Sequence, residues 1–213
     1  MVMDTNDEII VRLKKHYPDA KYYLNFSNPL ELMVAAILSA QVRDEVVNEA
    51  TKTLFKRYKT AKDYADIDLK EFEKDISKIT FFRNKAKNVK EACRILVEKY
   101  NGNVPRTMEE LTKLPGIARK TANVILSNAY DVIEGIPVDT HYIRVAYRLG
   151  WTKSTNPVKI EKDSMQMIDG KYWKELPWLL KAHGKSICKA HVPYCSKCFL
   201  NNICPKQGVD KKL

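Results

Sequence analysis

The chain has 213 residues, 45% of them apolar, with 37 Lys and Arg against 26 Asp and Glu and a formal net charge of +11. That length fits one domain or two small lobes and excludes a large multidomain assembly. The apolar fraction excludes a disordered chain, and no apolar run approaches the ~20 residues of a membrane span. The surplus of cations favours an extended polyanion, nucleic acid foremost, over a small anion; a solvated basic surface and anionic lipid are the other readings of charge alone.

The start, Met1-Val2-Met3-Asp4-Thr5-Asn6-Asp7-Glu8, is acidic and polar where a secretory leader is basic and then apolar, so the chain is expected in a reducing compartment, the cytoplasm of a prokaryote. From there on, apolar residues recur with helical spacing. Ile9, Leu13 and Tyr17 mark one helix face, and residues 30 to 40 are apolar almost all round, as in a central helix packed on every side. Pro29 opens that helix, and Asp44 before Glu-Val-Val-Asn-Glu-Ala opens the next. Val89, Cys93, Leu96 and Tyr100 form a further face closed by Asn101-Gly102-Asn103, with Cys93 as ordinary core. A short helix runs from Thr107, three residues before Glu110, to Lys113, and Ile143, Ala146 and Tyr147 mark a later face. No strand alternation competes, and the fold class is all-α.

Cys188, Cys195, Cys198 and Cys204 form a C-x6-C-x2-C-x5-C array near the C-terminal end. In a reducing compartment such closely spaced thiols point to metal ligation rather than disulfides. Tetrathiolate zinc and a four-iron cluster both use four cysteines, and spacing does not choose between them.

Leu114-Pro115-Gly116-Ile117-Ala118-Arg119-Lys120 reads as a tight turn between two helices. Backbone amides at such a helix start, with the positive end of its dipole, suit a phosphate and need no base contact; Lys113 and Arg119 add charge, and Gly116 and Ala118 shape the turn. An ordinary glycine-capped turn is the plain alternative. Lys120 falls in the first turn of the second helix, beside Arg119, where dipole and neighbour both favour the neutral amine. A lysine of ordinary pKa, about 10.4, is nucleophilic in only about one molecule in 2,500 at pH 7. On local sequence alone the phosphate-holding surface lysine is the favoured reading of Lys120. Asp139, in Val138-Asp139-Thr140-His141, is placed to cap a helix or to act as a carboxylate in a cleft.

Taken together these motifs resemble the helix-hairpin-helix DNA glycosylases that carry an iron-sulfur cluster. The resemblance runs through Leu38-Ser39-Ala40-Gln41, Asn84-Lys85-Ala86, Asn101-Gly102-Asn103-Val104-Pro105, Leu114-Pro115-Gly116, Arg119-Lys120-Thr121-Ala122-Asn123, Val138-Asp139-Thr140-His141, His183-Gly184 and the cysteine array. It implies a two-lobed, all-α fold. Residues 28–137 would form a six-helix barrel lobe with the hairpin at about 107–130, and residues 1–27 with 138–213 a cluster lobe whose loop is 188–204. It further implies Lys120 as the amine nucleophile, Asp139 as the essential carboxylate and the four cysteines as ligands of a [4Fe-4S] cluster, with duplex DNA bearing a damaged pyrimidine or an abasic site as the partner of a monomer.

In that family a polar residue at Gln41 and an apolar one near Phe81 fill the gap left by an extruded nucleotide, and His141, Lys189 and His191 join the expected DNA contacts. Two departures stand out: Thr80-Phe81-Phe82-Arg83 where many relatives carry glycine, leucine and tyrosine, and Ala118 where the hairpin usually has a second glycine. The activity implied is glycosylase plus β-eliminating lyase in base excision repair. The alternatives are a same-fold glycosylase for mismatched thymine, uracil or adenine, which generally lacks this lysine, and a non-enzymatic DNA-binding protein with a metal site.

Overall fold

The computed structural model describes residues 4–211 and 213, so the first three residues of the expected cluster lobe, and of the acidic start, lie outside it. Eleven α-helices follow one another: α1 (Thr5–His16), α2 (Pro29–Leu38), α3 (Asp44–Arg57), α4 (Ala61–Asp66), α5 (Leu69–Asp75), α6 (Phe82–Tyr100), α7 (Met108–Leu111), α8 (Arg119–Ala129), α9 (Thr140–Arg148), α10 (Pro157–Met167) and α11 (Leu176–Ser186). No strand occurs among the described residues, as the periodicity predicts, and no described helix is long and apolar enough to cross a membrane.

Two compact units divide the chain. One is Tyr23–Glu134; the other joins the described residues of Met1–Tyr22 to Gly135–Leu213. In the unit of Tyr23–Glu134, the central unit, α2 is the axis. Pro29 stands in its first turn, Asn28 Oδ1 accepts from the Glu31 N–H at 2.9 Å, and every residue from Leu32 to Leu38 is buried. A short helix apolar on all sides is stable only when neighbours cover it all round, here including α3, α6 and α8. Tyr58, Tyr64 and Phe72 stack edge-on at 5.2–6.2 Å and tie α3, α4 and α5 together.

The start of α3 differs from expectation. Its N-cap is Arg43, without a side-chain hydrogen bond, and Asp44 is the first helical residue. The carboxylate therefore acts on the positive end of the dipole from inside the first turn. Cys93 is fully buried, and burial pushes its thiol up to about 12. At the end of α6, Asn101 and Gly102 both take positive φ, +50° and +77°, and the Gly102 N–H reaches back to Leu96 O at 2.8 Å, closing the helix where predicted.

In the split unit, Ile9, Ile10 and Leu13 of α1 share one core with Ile136, Val138, Tyr142, Val145, Leu149 and Trp151. The two chain ends fold together because neither helix can bury its apolar face alone. Here α9 is rotated relative to the predicted face. Tyr142, Val145 and Ala146 are buried, while Ile143 and Tyr147 are only half-buried, because Arg144 and Arg148 are drawn inward to the loop that follows α11. The axial packing of α2 has a measurable consequence: Leu32→Ala, at a fully buried position, should cost about 2–5 kcal/mol in urea unfolding monitored by circular dichroism, and a loss below 1 kcal/mol would contradict that packing.

Candidate functional site

The helical hairpin is built upward from a threonine and a glycine. Thr107 caps α7: its hydroxyl accepts from the Glu110 N–H at 3.3 Å and donates to Glu110 Oε2 at 2.7 Å. The helix is shorter than the predicted 107–113, ending at Leu111, and two reverse turns follow, Leu114 N–H to Leu111 O (3.1 Å) and Ile117 N–H to Leu114 O (3.2 Å). Leu114 and Ile117 are buried and hold the turn to the unit. Gly116 between them has φ +80°, and a Cβ there would meet Asn88 of α6 at 3.1 Å and Ile37 of α2 at 3.2 Å. A side chain there would strain the backbone and crowd both neighbours.

Ala118 is different. At φ −87° and ψ 168° it is ordinary extended backbone, so its methyl group is accommodated where relatives have glycine. As N-cap of α8 it makes no side-chain hydrogen bond, and the helix begins without a side-chain acceptor at its positive end. Gly116, Ala118, Arg119 and Lys120 are all exposed there, whereas Ala122 to Ser127 are buried. Lys120 is the second residue of a helix whose following turns are locked into the core. Lys113 pairs with Glu109 at 2.6 Å on the surface, a bond weak enough for a phosphate to replace. Substituting Gly116 by alanine should destabilise the protein by about 1–3 kcal/mol, read from the urea midpoint; a change under 0.5 kcal/mol would show that the turn is not as tight as described.

The two segments expected to fill a vacated base site share an uncommon feature. Gln41 and Phe81 both sit in the left-handed region, at φ +56° and +58°, and both are exposed. Phe81 is 62% accessible and is therefore surface rather than core.

In the split unit Asp139 is the N-cap of α9, accepting from the Tyr142 N–H through Oδ1 at 2.8 Å. Its second oxygen lies 3.6 Å from His141 Nδ1. The capping use is thus realised through Oδ1, while Oδ2 faces a polar neighbour. His141 is packed against Gly184 of α11, where a Cβ would meet its ring at 3.1 Å and the Arg144 guanidinium at 2.9 Å. The glycine of the His183-Gly184 motif is therefore a close-packing residue.

Cys188, Cys195, Cys198 and Cys204 line one small cavity of about 30 Å³ together with Arg148, His183, Ile187 and Leu200. Among the described residues no group of three or more His, Cys, Asp or Glu is arranged to hold a single metal ion. Burial pushes the Cys198 and Cys204 thiols up, so ligation must expel protons. Sequence reasoning missed what grips the array. The Arg148 guanidinium donates to Cys188 Sγ (3.2 Å), Lys189 O (2.6 Å) and Ala190 O (2.9 Å), and Arg144 donates to Cys188 O (3.1 Å) and Gly184 O (3.0 Å). The available signal was a pair of arginines four apart on an otherwise apolar face of α9. His183 Nε2 lies 3.8 Å from Cys198 Sγ, and burial pushes its pKa down to about 4, leaving a neutral ring whose Nδ1 is 3.1 Å from the Tyr17 hydroxyl. Lys189 and His191 are exposed on the loop, with the Lys189 ammonium turned onto the Lys185 carbonyl.

Comparison with known proteins agrees with this construction. A family model described as the HhH-GPD superfamily of base excision DNA repair proteins matches residues 34–169. The endonuclease III of Synechocystis sp. is 48% identical over 198 residues, 93% of this chain and 90% of its own length, and that of Bacillus subtilis is 44% identical over 200 residues, covering 92% and 90%. A solved endonuclease III, trapped as a covalent intermediate with DNA, superposes with a TM-score of 0.88 at 42% identity, over 96% of this chain and 97% of that one. The chain belongs to the HhH-GPD superfamily of base excision DNA repair proteins.

Proposed function

We propose that the chain is a bifunctional DNA glycosylase and abasic-site lyase of the endonuclease III type, acting as a monomer on oxidised pyrimidines in duplex DNA at the prokaryotic nucleoid. The observation that carries the reading is a lysine held by a rigid backbone at an exposed helix start, in a chain whose relatives include one trapped covalently on DNA. In this reading the central unit is the six-helix barrel lobe and the split unit the cluster lobe.

The uncharged Lys120 amine attacks the deoxyribose carbon that bears the damaged base, and the base leaves with the bonding electron pair. Ring opening gives an imine between Nζ and the sugar. Loss of the proton on the neighbouring carbon then expels the 3′ phosphate, and the strand breaks on that side by β-elimination. Asp139 receives the lysine proton and balances the positive charge that develops on the sugar. The amides around Gly116 and Ala118, with Arg119 and Lys113, hold backbone phosphates; His141, Lys189 and His191 add further contacts. Gln41 and Phe81 occupy the space the extruded nucleotide vacates, offsetting part of an unstacking cost of a few kcal/mol.

Cys188, Cys195, Cys198 and Cys204 would hold a [4Fe-4S] cluster, and the donor set fits it. All four thiols line one cavity, and four cysteines are the number of ligands such a cluster takes. Arg148 donates to Cys188 Sγ, a contact suited to a thiolate ligand. When bound, the cluster supplies a covalent tie that orders the loop between Cys188 and Cys195, where Lys189 and His191 stand. The protein itself contributes the Arg144 and Arg148 grip on that loop.

Three outcomes follow. Lys120→Gln should abolish strand scission, by at least about a thousandfold in single turnover, while duplex affinity stays within about threefold, because phosphate contacts made by backbone remain. Asp139→Asn keeps a cap acceptor at Oδ1, so it should fold normally yet lower the single-turnover rate about a hundredfold; an unchanged rate would reduce Asp139 to a helix cap. Purified protein should be brown, with four irons per chain and broad absorption near about 400 nm, whereas a colourless zinc protein would contradict the cluster.

A further inference from the structure

The proposed chemistry leaves one buried cation unused. Lys85, in the first turn of α6, is 5% exposed, and among the described residues no carboxylate acts on it. Its ammonium instead donates to two main-chain carbonyls, Leu38 O at 2.8 Å and Ala40 O at 2.6 Å. Burial holds its pKa down at about 8. Leu38 is the last residue of α2, so the cation stands at the negative end of that helix's dipole, where orphan carbonyls need donors. Burying an ammonium without a counter-charge is unfavourable, and carbonyls fixed in place are what offsets it.

Those carbonyls flank the gap-filling segment. Ala40 precedes Gln41 inside a reverse turn closed by the Val42 N–H on Ser39 O at 3.1 Å. The lysine is also joined to the second segment through its helix: Phe81 is the N-cap of α6, and its carbonyl accepts the ordinary first helical bond from the Lys85 N–H at 3.2 Å. Lys85 therefore stands between two of the exposed non-glycine positions held at positive φ, Gln41 and Phe81; Asn101 and Asp131 are others among the described residues. Asparagine and aspartate enter that region readily, whereas glutamine and phenylalanine do not, and such strain persists only where the surroundings over-determine it.

We infer that Lys85 is a positioning residue for nucleotide extrusion: its ammonium ties the Gln41 turn to the first turn of α6, the helix that Phe81 caps, so that both fillers are presented in their strained conformations before DNA arrives. The ordering cost is met on folding rather than during extrusion. This rests on the reading that Gln41 and Phe81 fill the vacated space, and it predicts a defect confined to duplex substrates, because a single strand leaves no gap to fill.

The test uses the full-length, iron-loaded protein. Lys85→Met keeps the apolar stem and removes the ammonium; Lys85→Gln keeps a neutral donor and is measured alongside, so that the test survives if the methionine variant does not fold. Single-turnover scission is followed on a duplex with one oxidised pyrimidine and on a single strand with one abasic site, with 2-aminopurine beside the duplex lesion reporting extrusion. The expected result is duplex scission slowed at least about tenfold, a smaller fluorescence rise, and single-strand scission within about twofold of wild type. Equal slowing on both substrates, or an unaltered duplex rate, overturns the assignment. The double variant Gln41→Ala with Phe81→Ala separates the two levels: wild-type duplex rates there refute the gap-filling reading itself, whereas a slowed double variant beside an unaffected Lys85→Met refutes only the role of Lys85.

Discussion

At Gly116 the chain reverses at φ +80°, with Asn88 and Ile37 so near that an added carbon atom would meet them at 3.1–3.2 Å. Because the glycine is pressed against α6 and α2, the start of α8 inherits the rigidity of the most deeply buried helix in the central unit. Lys120 occupies the second position after that start, so its backbone is fixed although its side chain is exposed. A nucleophile that must meet a sugar carbon gains from such placement, since orientation lost to a loose loop would have to be recovered in the reaction itself.

The same logic recurs at other helix ends. Asp139 stands at the start of α9, Phe81 at the start of α6, and Gln41 just past the end of α2. Helix interiors satisfy their own hydrogen bonds and bury apolar faces; only their ends carry unsatisfied backbone groups and dipole charge. In the proposed reading the molecule uses interiors for rigidity and ends for chemistry. Where an end would be loosely held, an internal cation takes up its carbonyls: Lys85 at the end of α2, and Arg144 and Arg148 on the loop after α11. These three side chains bond mainly to main-chain oxygens rather than to carboxylates, so they shape loops without cancelling the basic charge of the surface.

The all-helical class, the α2 core, the capping of α7 by Thr107 and the Asn101-Gly102 stop were legible because each depends on local spacing or on a residue with one conformational use. The burial of Lys85 and Arg148 was not legible, since a lysine or arginine in a helix ordinarily lies on its solvated face, and only tertiary packing shows otherwise. The same limit explains the rotation of α9, whose apolar pattern alone favours Ile143 and Tyr147 as core. Ala118 departs from the family's usual glycine, and its extended backbone, which any residue adopts, shows that no glycine is needed. Gly184 carried a structural reason, contact with His141 and Arg144, that no sequence pattern announces.

The account stands or falls on a covalent bond at one amine. Wild-type protein mixed with a duplex containing an abasic site, in the presence of borohydride, should yield a stable protein–DNA adduct, and peptide mapping should place the attached deoxyribose remnant on Lys120. An adduct on a different lysine, or none under conditions where the strand is being cut, would contradict it.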